Sequence, residues 1–375
     1  MARQSFPVRE VRATLKVAMD DFAGDTTHDQ PTRRQWTLNP PFDVRVRELV
    51  RDWGAEKSAE LIEEMIVTAL KIARDQMSVA DLKLINRSVK EMRYAAKVFA
   101  PFQHFRKVAV FGSARTSPDA PEYQIAEDFG REMVAHNYMI ITGGGDGIMG
   151  AAQRGAGRKH SFGLNIRLPF EQRANEIIEG DPKLINLNYF FTRKLNFVKE
   201  AHAFALFPGG FGTLDETFEV LTLMQTGKAR LIPVVLLDRP RGSYWETWMK
   251  FLTGSLLTLG FISSEDFSFF KIVHNVNEAV AEILQFYKIY HSARWVGEKL
   301  VIRVCHRLSK KAVIDLNKEF RDIVRSGEIV QSSGLRQEKN EPEIWNLPRL
   351  ILTPYRRSFG RFRQLIDAIN LSPVM

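Results

Sequence analysis

A glycine-rich segment between an apolar stretch and an amphipathic stretch constrains the fold of this chain most. Residues 203–206 are apolar and predict a strand, and residues 214–224 carry apolar side chains at helical spacing. Between them runs Pro-Gly-Gly-Phe-Gly-Thr-Leu-Asp-Glu, residues 208–216. Glycine lets the backbone approach a ligand closely, and the N–H groups at a helix start favour an anion. The segment therefore predicts a strand, an anion-binding turn and a helix.

The turn contains candidate phosphate ligands and one candidate acid. Gly210, Gly212 and Thr213 can donate backbone N–H groups to a phosphate, and Thr213 can add its hydroxyl. Gly209 allows the chain to come close to that ligand. Glu216 follows within the first helical turn, where its carboxylate would repel a phosphate and is better placed beside an adjoining sugar. The alternative interpretation is a tight turn with a surface acid and no ligand.

Two further turns of small residues lie upstream. One follows the apolar residues 108–111, and the longer one, Gly-Gly-Gly-Asp-Gly, follows residues 138–141. A dinucleotide-binding turn is expected after the first strand of its domain, but here the longer turn follows the second. Three such strand ends predict one crevice for a mononucleotide. The residues expected there are Gly112, Ser113, Gly143, Gly144 and Gly145.

Asp146, in the longer turn, is a candidate ligand of the base or of a ribose hydroxyl. A role in stabilising the turn through its own backbone is the alternative. In either case we expect the base of a bound nucleotide near residues 143–147.

Between residues 106 and 287, short apolar runs alternate with helical patterns, which predicts an α/β domain. We expect a Rossmann-like parallel sheet with helices on both faces, flanked by helical N- and C-terminal extensions. The predicted strands lie near residues 108–111, 139–142, 162–166, 188–190, 203–206 and 232–237. The predicted crossover helices are residues 123–136, 193–201 and 214–225.

Three flanking regions complete the predicted organisation. Residues 1–42 form a polar arm, and residues 43–105 form a helical extension with an apolar stripe that is either core or a partner-facing surface. Residues 288–375 form a basic, mainly helical extension, with an irregular stretch between residues 327 and 348.

Composition excludes several classes of function. The 375 residues contain no apolar run near the roughly 20 that a membrane-spanning helix needs. The single cysteine, Cys305, excludes an internal disulfide and fits a reducing compartment. The eight histidines show no spacing typical of zinc ligands. We therefore expect a cytoplasmic protein without membrane contact, metal or cofactor.

The net charge of +9 raises the question of nucleic acid. Arginines alternate with aromatic residues near the C-terminus, which could bind an anionic polymer. The alternative is a solvated helix face or a subunit contact, and we favour it because no known nucleic-acid module is present. The arginines concerned are Arg356, Arg357, Arg361 and Arg363.

The motifs together resemble the LOG family, cytokinin-activating and related nucleoside 5′-monophosphate phosphoribohydrolases that were long labelled lysine decarboxylases. The resemblance rests on the pattern PGGxGTxxE at residues 208–216, on Arg193 and Lys194 ahead of it, and on the two upstream turns. It covers roughly residues 106–237. Phe197 stands where the family usually has Met, and His202 where it often has Asp, so we expect an altered base pocket.

The long flanks are similar to the bacterial branch of the family, which implies activity on AMP-like nucleotides. The family pairs as dimers, which implies at least a homodimer here. A reaction at the N-glycosidic bond passes through an oxocarbenium-like transition state, which an ionised carboxylate stabilises. Glu216 is the candidate for this role and for positioning the attacking water.

Two basic residues are expected to assist. Arg193 binds the phosphate or orients Glu216, with a purely structural Arg–Glu pair between two helix ends as the alternative. Lys194 and Asp215 are supporting candidates or outward-facing neighbours. The competing hypothesis for the whole chain is a non-catalytic protein that senses a nucleotide, carries a cofactor or holds nucleic acid.

Overall fold

The computed structural model describes residues 37–55, 58–168, 173–338 and 341–375. Most of the predicted polar arm lies outside these residues. The described chain forms two compact units, one ending at Glu91 and one beginning at Met92. No helix of the described ranges is long and apolar enough to cross a membrane.

The smaller unit contains helices α1 (Pro40–Asp52), α2 (Ala59–Ile72) and the first part of α3 (Val79–Phe99). Asn39 caps α1 by accepting a hydrogen bond from the Phe42 N–H at 3.2 Å. The core of this unit is small and is centred on valines, namely Val46, Val50 and Val67. Much of the predicted apolar stripe lies on its surface instead, including Leu49, Trp53, Leu61, Met65 and Leu70.

The larger unit is built on a seven-stranded parallel sheet, which confirms the predicted Rossmann-like fold. The strand order is β4-β3-β2-β1-β5-β6-β7, and every pair is parallel. The strands are β1 (Arg106–Phe111), β2 (Tyr138–Thr142), β3 (Ser161–Ile166), β4 (Leu184–Leu187), β5 (Ala203–Leu206), β6 (Val234–Leu237) and β7 (Phe270–Val273).

Helices cover both faces of this sheet, as its sequence predicts. In β1, Val108 and Val110 face one apolar layer, while Ala109 and Phe111 face the other. Strands buried on both faces read as continuous apolar runs, which is why they are visible in the sequence. The helices are α4 (Pro121–Ala135), α5 (Ile148–Ala156), α6 (Phe190–Glu200), α7 (Phe211–Gln225), α8 (Tyr244–Phe251) and α9 (Val276–Phe286).

Two details of the strand prediction are wrong. Strand β4 spans Leu184–Leu187 and not residues 188–190, because helix α6 already begins at Phe190. β4 is an edge strand with one exposed face, so its side chains alternate and lack a continuous apolar run. The other edge strand, β7, was not predicted; its two central residues are also partly or fully exposed.

The C-terminal region contains the expected helices and, in addition, an antiparallel sheet that the sequence analysis missed. The helices are α10 (Lys310–Glu319) and α11 (Phe359–Leu371). The strands are β8 (Tyr290–Val296), β9 (Lys299–Val304), β10 (Val324–Ser332) and β11 (Arg349–Pro354), in the order β10-β11-β9-β8. An unbroken apolar run such as residues 300–302 fits a helix or a strand equally well, so periodicity alone misassigned it.

Candidate functional site

Three loops at the carboxyl edge of the parallel sheet are tied together by backbone hydrogen bonds. Ser113, after β1, donates its N–H to the Pro208 carbonyl after β5 at 3.1 Å. Its own carbonyl accepts from the Ile148 N–H, at the start of α5, at 3.1 Å. The loops surround a cavity of about 820 Å³. The predicted residues that line it are Gly112, Ser113, Gly143, Gly145, Arg193, Gly209, Gly210, Gly212, Thr213 and Glu216.

The loop after β5 presents the start of helix α7 to this cavity. Gly210 precedes the helix, and no side chain caps its first turn. Thr213 already donates its N–H to the Gly210 carbonyl at 3.1 Å, which the sequence did not indicate. Within the described ranges, the N–H groups of Gly210, Phe211 and Gly212 have no backbone acceptor. Unpaired amides at a helix start can bind an anion.

Gly209 has a steric reason to be glycine. A Cβ at this position would collide with the Thr213 hydroxyl and would lie 3.1 Å from the Ser113 nitrogen. The Gly209 carbonyl accepts a hydrogen bond of 2.6 Å from the Tyr244 hydroxyl. Sequence reasoning missed Tyr244, because it lies beyond the next strand and belongs to no motif of the loop.

Arg193 is held inside the site by the sheet. Its Nε donates to the Leu164 carbonyl of β3 at 2.9 Å, and its guanidinium lies beside Gly143. Burial lowers the pKa of Arg193, and the charge of Glu216 opposes that effect. An arginine stays protonated in proteins even when it is buried, so the guanidinium keeps its positive charge and acts on Glu216 electrostatically.

Glu216 is the buried acid of the site, with 6% of its surface exposed. Burial raises the pKa of its carboxyl to about 7, although the positive charges of Lys194 and Arg193 lower it. A carboxylate with a pKa near neutrality can exchange protons at physiological pH, as a general base or acid must. Strongly shifted pKa values in a cleft are typical of functional sites.

Lys194 lies behind this acid and is surrounded by carboxylates. Its Nζ is 3.8 Å from Glu216 Oε2 and 2.9 Å from Asp215 Oδ2, and it also bonds Glu219. Burial lowers the pKa of Lys194, but its hydrogen bonds to Glu219 and Asp215 outweigh burial and raise it overall. Lys194 does not line the cavity, whereas Asp215 does. Lys194 is therefore a neighbour of Glu216 that does not itself line the cavity.

Two residues of the second glycine turn lie outside the main cavity. Gly144 has a φ of +80°, and its carbonyl accepts from the Asn175 N–H at 2.8 Å. Asp146 is exposed and lines an adjacent cavity of about 530 Å³, together with Arg115 and Arg154. The structure therefore does not bring Asp146 to the acid.

The cavity also has an apolar wall that sequence reasoning missed. Its members are Phe111, Met149, Ile166, Leu168, Phe190 and Phe211. One amide, Asn165, interrupts this wall at the end of β3. The predicted strand at residues 162–166 could have pointed to this wall, because the carboxyl ends of parallel strands line such crevices.

The two departures from the family pattern do not lie on the cavity wall. Phe197 is fully buried and packs on Phe111, with ring centroids 4.6 Å apart. His202 immediately precedes β5, at the opposite edge of the sheet, where its Nδ1 accepts from the Lys107 N–H at 3.3 Å. Neither residue therefore lines the cavity itself, but Phe197 packs against two residues that do, Phe111 and Arg193.

The C-terminal arginines mostly make internal contacts. Arg363 is buried and bonds Asp367 at 3.0 Å and Glu282 at 2.9 Å. Arg361 bonds both carboxylate oxygens of Asp322, at 3.0 and 2.8 Å. These ion pairs neutralise two of the four charges by contacts within the chain, which is neither nucleic-acid binding nor the solvated helix face or subunit contact expected as its alternative.

Known proteins resemble this chain over part of its length. Residues 149–283 match a family model described as "Possible lysine decarboxylase". The chain is 31% identical over 163 residues to "Cytokinin riboside 5'-monophosphate phosphoribohydrolase LOG7" of Arabidopsis thaliana, a match that covers 42% of this chain and 72% of that protein. It is 28% identical over 167 residues to LOG3 of the same plant, covering 42% and 73%.

Among solved structures, a molybdenum cofactor carrier protein from Chlamydomonas reinhardtii is 19% identical, with a TM-score of 0.34. That alignment covers 48% of this chain and 97% of the carrier. On the match to the curated phosphoribohydrolases, the chain belongs to the LOG family.

Proposed function

We propose that this protein hydrolyses the N-glycosidic bond of nucleoside 5′-monophosphates to give the free base and ribose 5-phosphate. At the level of the family, the named relatives are phosphoribohydrolases. The observation that carries the proposal is Glu216, a buried carboxylate with a pKa of about 7 on the wall of the cavity. It stands one helical turn from the unpaired amides of the loop after β5.

The phosphate is the part of the substrate that this loop would hold. The amides of Gly210, Phe211 and Gly212 have no backbone acceptor in the described chain, and the start of α7 favours negative charge. The amide of Thr213 is engaged, so we assign its hydroxyl and not its N–H to the phosphate.

The ribose then lies against Glu216. As the bond from C1′ to the base nitrogen breaks, positive charge develops on the sugar ring, and the Glu216 carboxylate stabilises it. The same carboxylate orients a water molecule and accepts its proton as the oxygen attacks C1′. The electron pair of the broken bond leaves with the base, whose nitrogen takes up a proton from water, and Glu216 returns the proton it accepted to the solvent.

Arg193 and Lys194 control the charge of this acid. Arg193, anchored at 2.9 Å on the Leu164 carbonyl, places a fixed positive charge where phosphate, ribose and Glu216 meet. Lys194, held by Asp215 and Glu219, supplies a second charge behind the carboxylate. Both lower the pKa of Glu216 and so favour its ionised form near neutral pH.

The test is chromatography of the protein after incubation with AMP, GMP, CMP, UMP and an isopentenyladenosine monophosphate. We expect free base and ribose 5-phosphate from the wild type and none from Glu216→Gln, with nucleotide affinity kept within a few-fold. Glu122→Gln, a partly exposed acid on α4, is the matched control and should keep full activity. Intact nucleotides that nonetheless bind would contradict hydrolysis and favour a nucleotide-binding protein.

We also propose that the site is completed by a second copy of the chain. Phe190 and Phe211 line the cavity, yet they are 53% and 94% exposed. Large exposed apolar side chains at the mouth of a cavity are typical of surfaces that a partner covers. Light scattering should give at least a dimer, and Phe211→Asp should weaken it. A monomer at micromolar concentration would contradict this proposal.

A further inference from the structure

The order of the strands sets the direction in which a nucleotide can lie. The phosphate loop follows β5, and β1, β2 and β3 come next along the carboxyl edge. Three strand spacings of about 4.8 Å separate β5 from β3, which is roughly 14 Å. If the phosphate is at α7 and the ribose at Glu216, the base lies over β2 and β3. Asn165, at the end of β3, is the amide at that end of the cavity.

The side chain of Asn165 is held by its neighbour on the next strand. Its Nδ2 donates to Asn186 Oδ1 at 3.0 Å, and the two residues are register partners of β3 and β4. This is the one side-chain hydrogen bond of Asn165 within the described residues. It leaves a carbonyl oxygen and a second N–H for a ligand.

The surroundings make this amide a selective contact. Ile166 and Leu168 follow it along the same wall, and Met149 and Phe190 also line the cavity. Pockets of this kind obtain specificity from a few polar groups in an apolar lining. Arg193 is anchored on Leu164, the residue before Asn165, so its guanidinium and the Asn165 amide are held at the same strand end.

We propose that Asn165 is a specificity-determining residue that selects bases carrying an amino group next to a ring-nitrogen acceptor, as in adenine. Its carbonyl accepts from the amino group, and its free N–H donates to the ring nitrogen, a pairing that asparagine makes with adenine elsewhere. Asn186 accepts from Nδ2 and thereby orients the amide. An oxo group in place of the amino group would face the Asn165 carbonyl and be rejected. This assignment rests on the proposed function for the placement of the phosphate.

The experiment compares AMP with IMP, in which an oxo group replaces the amino group and the adjacent ring nitrogen carries a hydrogen instead of accepting one. We expect the wild type to prefer AMP in kcat/KM by at least about fivefold, the low end for a bidentate amide–base pair. In Asn165→Ala this ratio should fall to about one through loss of activity on AMP, with IMP changed less than about threefold. An unchanged ratio, or equal loss on both nucleotides, would overturn the assignment.

Asn186→Ala provides a second variant that should fold normally, since this residue is exposed. Freed from its partner, the Asn165 amide can turn either edge to the base. The ratio of kcat/KM on AMP to kcat/KM on IMP should then fall because kcat/KM on IMP rises. Simple damage to β4 would not raise the activity on IMP.

The two proposals can fail separately. If neither nucleotide is hydrolysed, the phosphoribohydrolase proposal fails, and calorimetric binding of AMP and IMP to wild type and Asn165→Ala still tests the amide. If both are hydrolysed equally by the wild type and Glu216→Gln abolishes this, the activity stands and the role of Asn165 is wrong.

Discussion

The guanidinium of Arg193 occupies the space that a side chain on Gly143 would need. A Cβ at residue 143 would collide with Arg193 Nη2 and would lie 2.8 Å from the sulfur of Met149. Fifty residues of chain separate the arginine from the glycine, and they meet because β2 and β3 are neighbours in the sheet. The glycine turn after β2 therefore admits a cation to the site as well as leaving room for a ligand.

This relationship predicts the effect of Gly143→Ala. The added methyl group should displace the Arg193 guanidinium and lower kcat/KM at least tenfold, with a modest loss of thermal stability. The matched control is Gly254→Ala, because a Cβ at residue 254 meets no atom within 4 Å. Steady-state kinetics on the preferred nucleotide would check this. Full activity of Gly143→Ala would show that the position of Arg193 is not critical.

The raised pKa of Glu216 predicts an acid limb in the pH dependence of activity. If the ionised carboxylate is required, kcat/KM should rise with pH with a midpoint near 7. Lys194→Met removes a charge that lowers this pKa, so the midpoint should move to higher pH. A limb that stays in place in this variant belongs to another group, for instance the substrate phosphate.

The same pKa predicts a dependence of stability on pH. The folded protein holds the Glu216 proton more tightly than the unfolded chain, whose glutamates titrate near 4.5. This contribution is fully present below pH 4.5 and is lost as pH rises through about 7, by at most about 3 kcal/mol. Glutamine cannot ionise, so Glu216→Gln should gain stability relative to wild type between pH 5 and pH 8. A difference in unfolding free energy that is independent of pH would contradict this.

The hydrogen bond of Tyr244 predicts that a residue outside the recognised motifs supports the phosphate loop. Loss of its 2.6 Å hydrogen bond to the Gly209 carbonyl in Tyr244→Phe should cost about 1 kcal/mol of stability. It should also raise KM several-fold by loosening the phosphate loop, with a smaller effect on kcat. Tyr355→Phe, at an exposed tyrosine, is the control. Equal KM values for the two variants would show that Tyr244 does not contribute to substrate binding.

The ion pairs of the buried Arg363 predict that it stabilises the fold. Arg363→Ala leaves the carboxylates of Asp367 and Glu282 without this partner and should destabilise the fold by about 3 kcal/mol. Arg357→Ala, at an exposed position, should change stability by less than about 0.5 kcal/mol. Denaturant unfolding would measure both. The nucleic-acid interpretation would be supported instead by two results. Both variants would change stability by similarly small amounts, and both would lose a salt-sensitive retention on nucleic acid that the wild type shows.

Much of the sheet could be predicted because its strands are buried on both faces. Residues 108–111 and 203–206 are apolar without interruption, and such runs stand out in any sequence. The edge strands β4 and β7 and the C-terminal strands were misplaced or missed, since one-sided burial leaves a weaker pattern. Where the C-terminal apolar runs are continuous, they fit a helix as well as a strand.

The sequence by itself determined the local chemistry of the site: a strand, a glycine turn, a helix start and an acid one turn later. These follow from neighbouring residues, so spacing alone reveals them. Only the tertiary structure decided that Glu216 is buried, that Arg193 reaches Gly143, and that Asp146 faces a different cavity. Burial and charge act through space, and the pKa of Glu216 depends on groups that distant segments bring together.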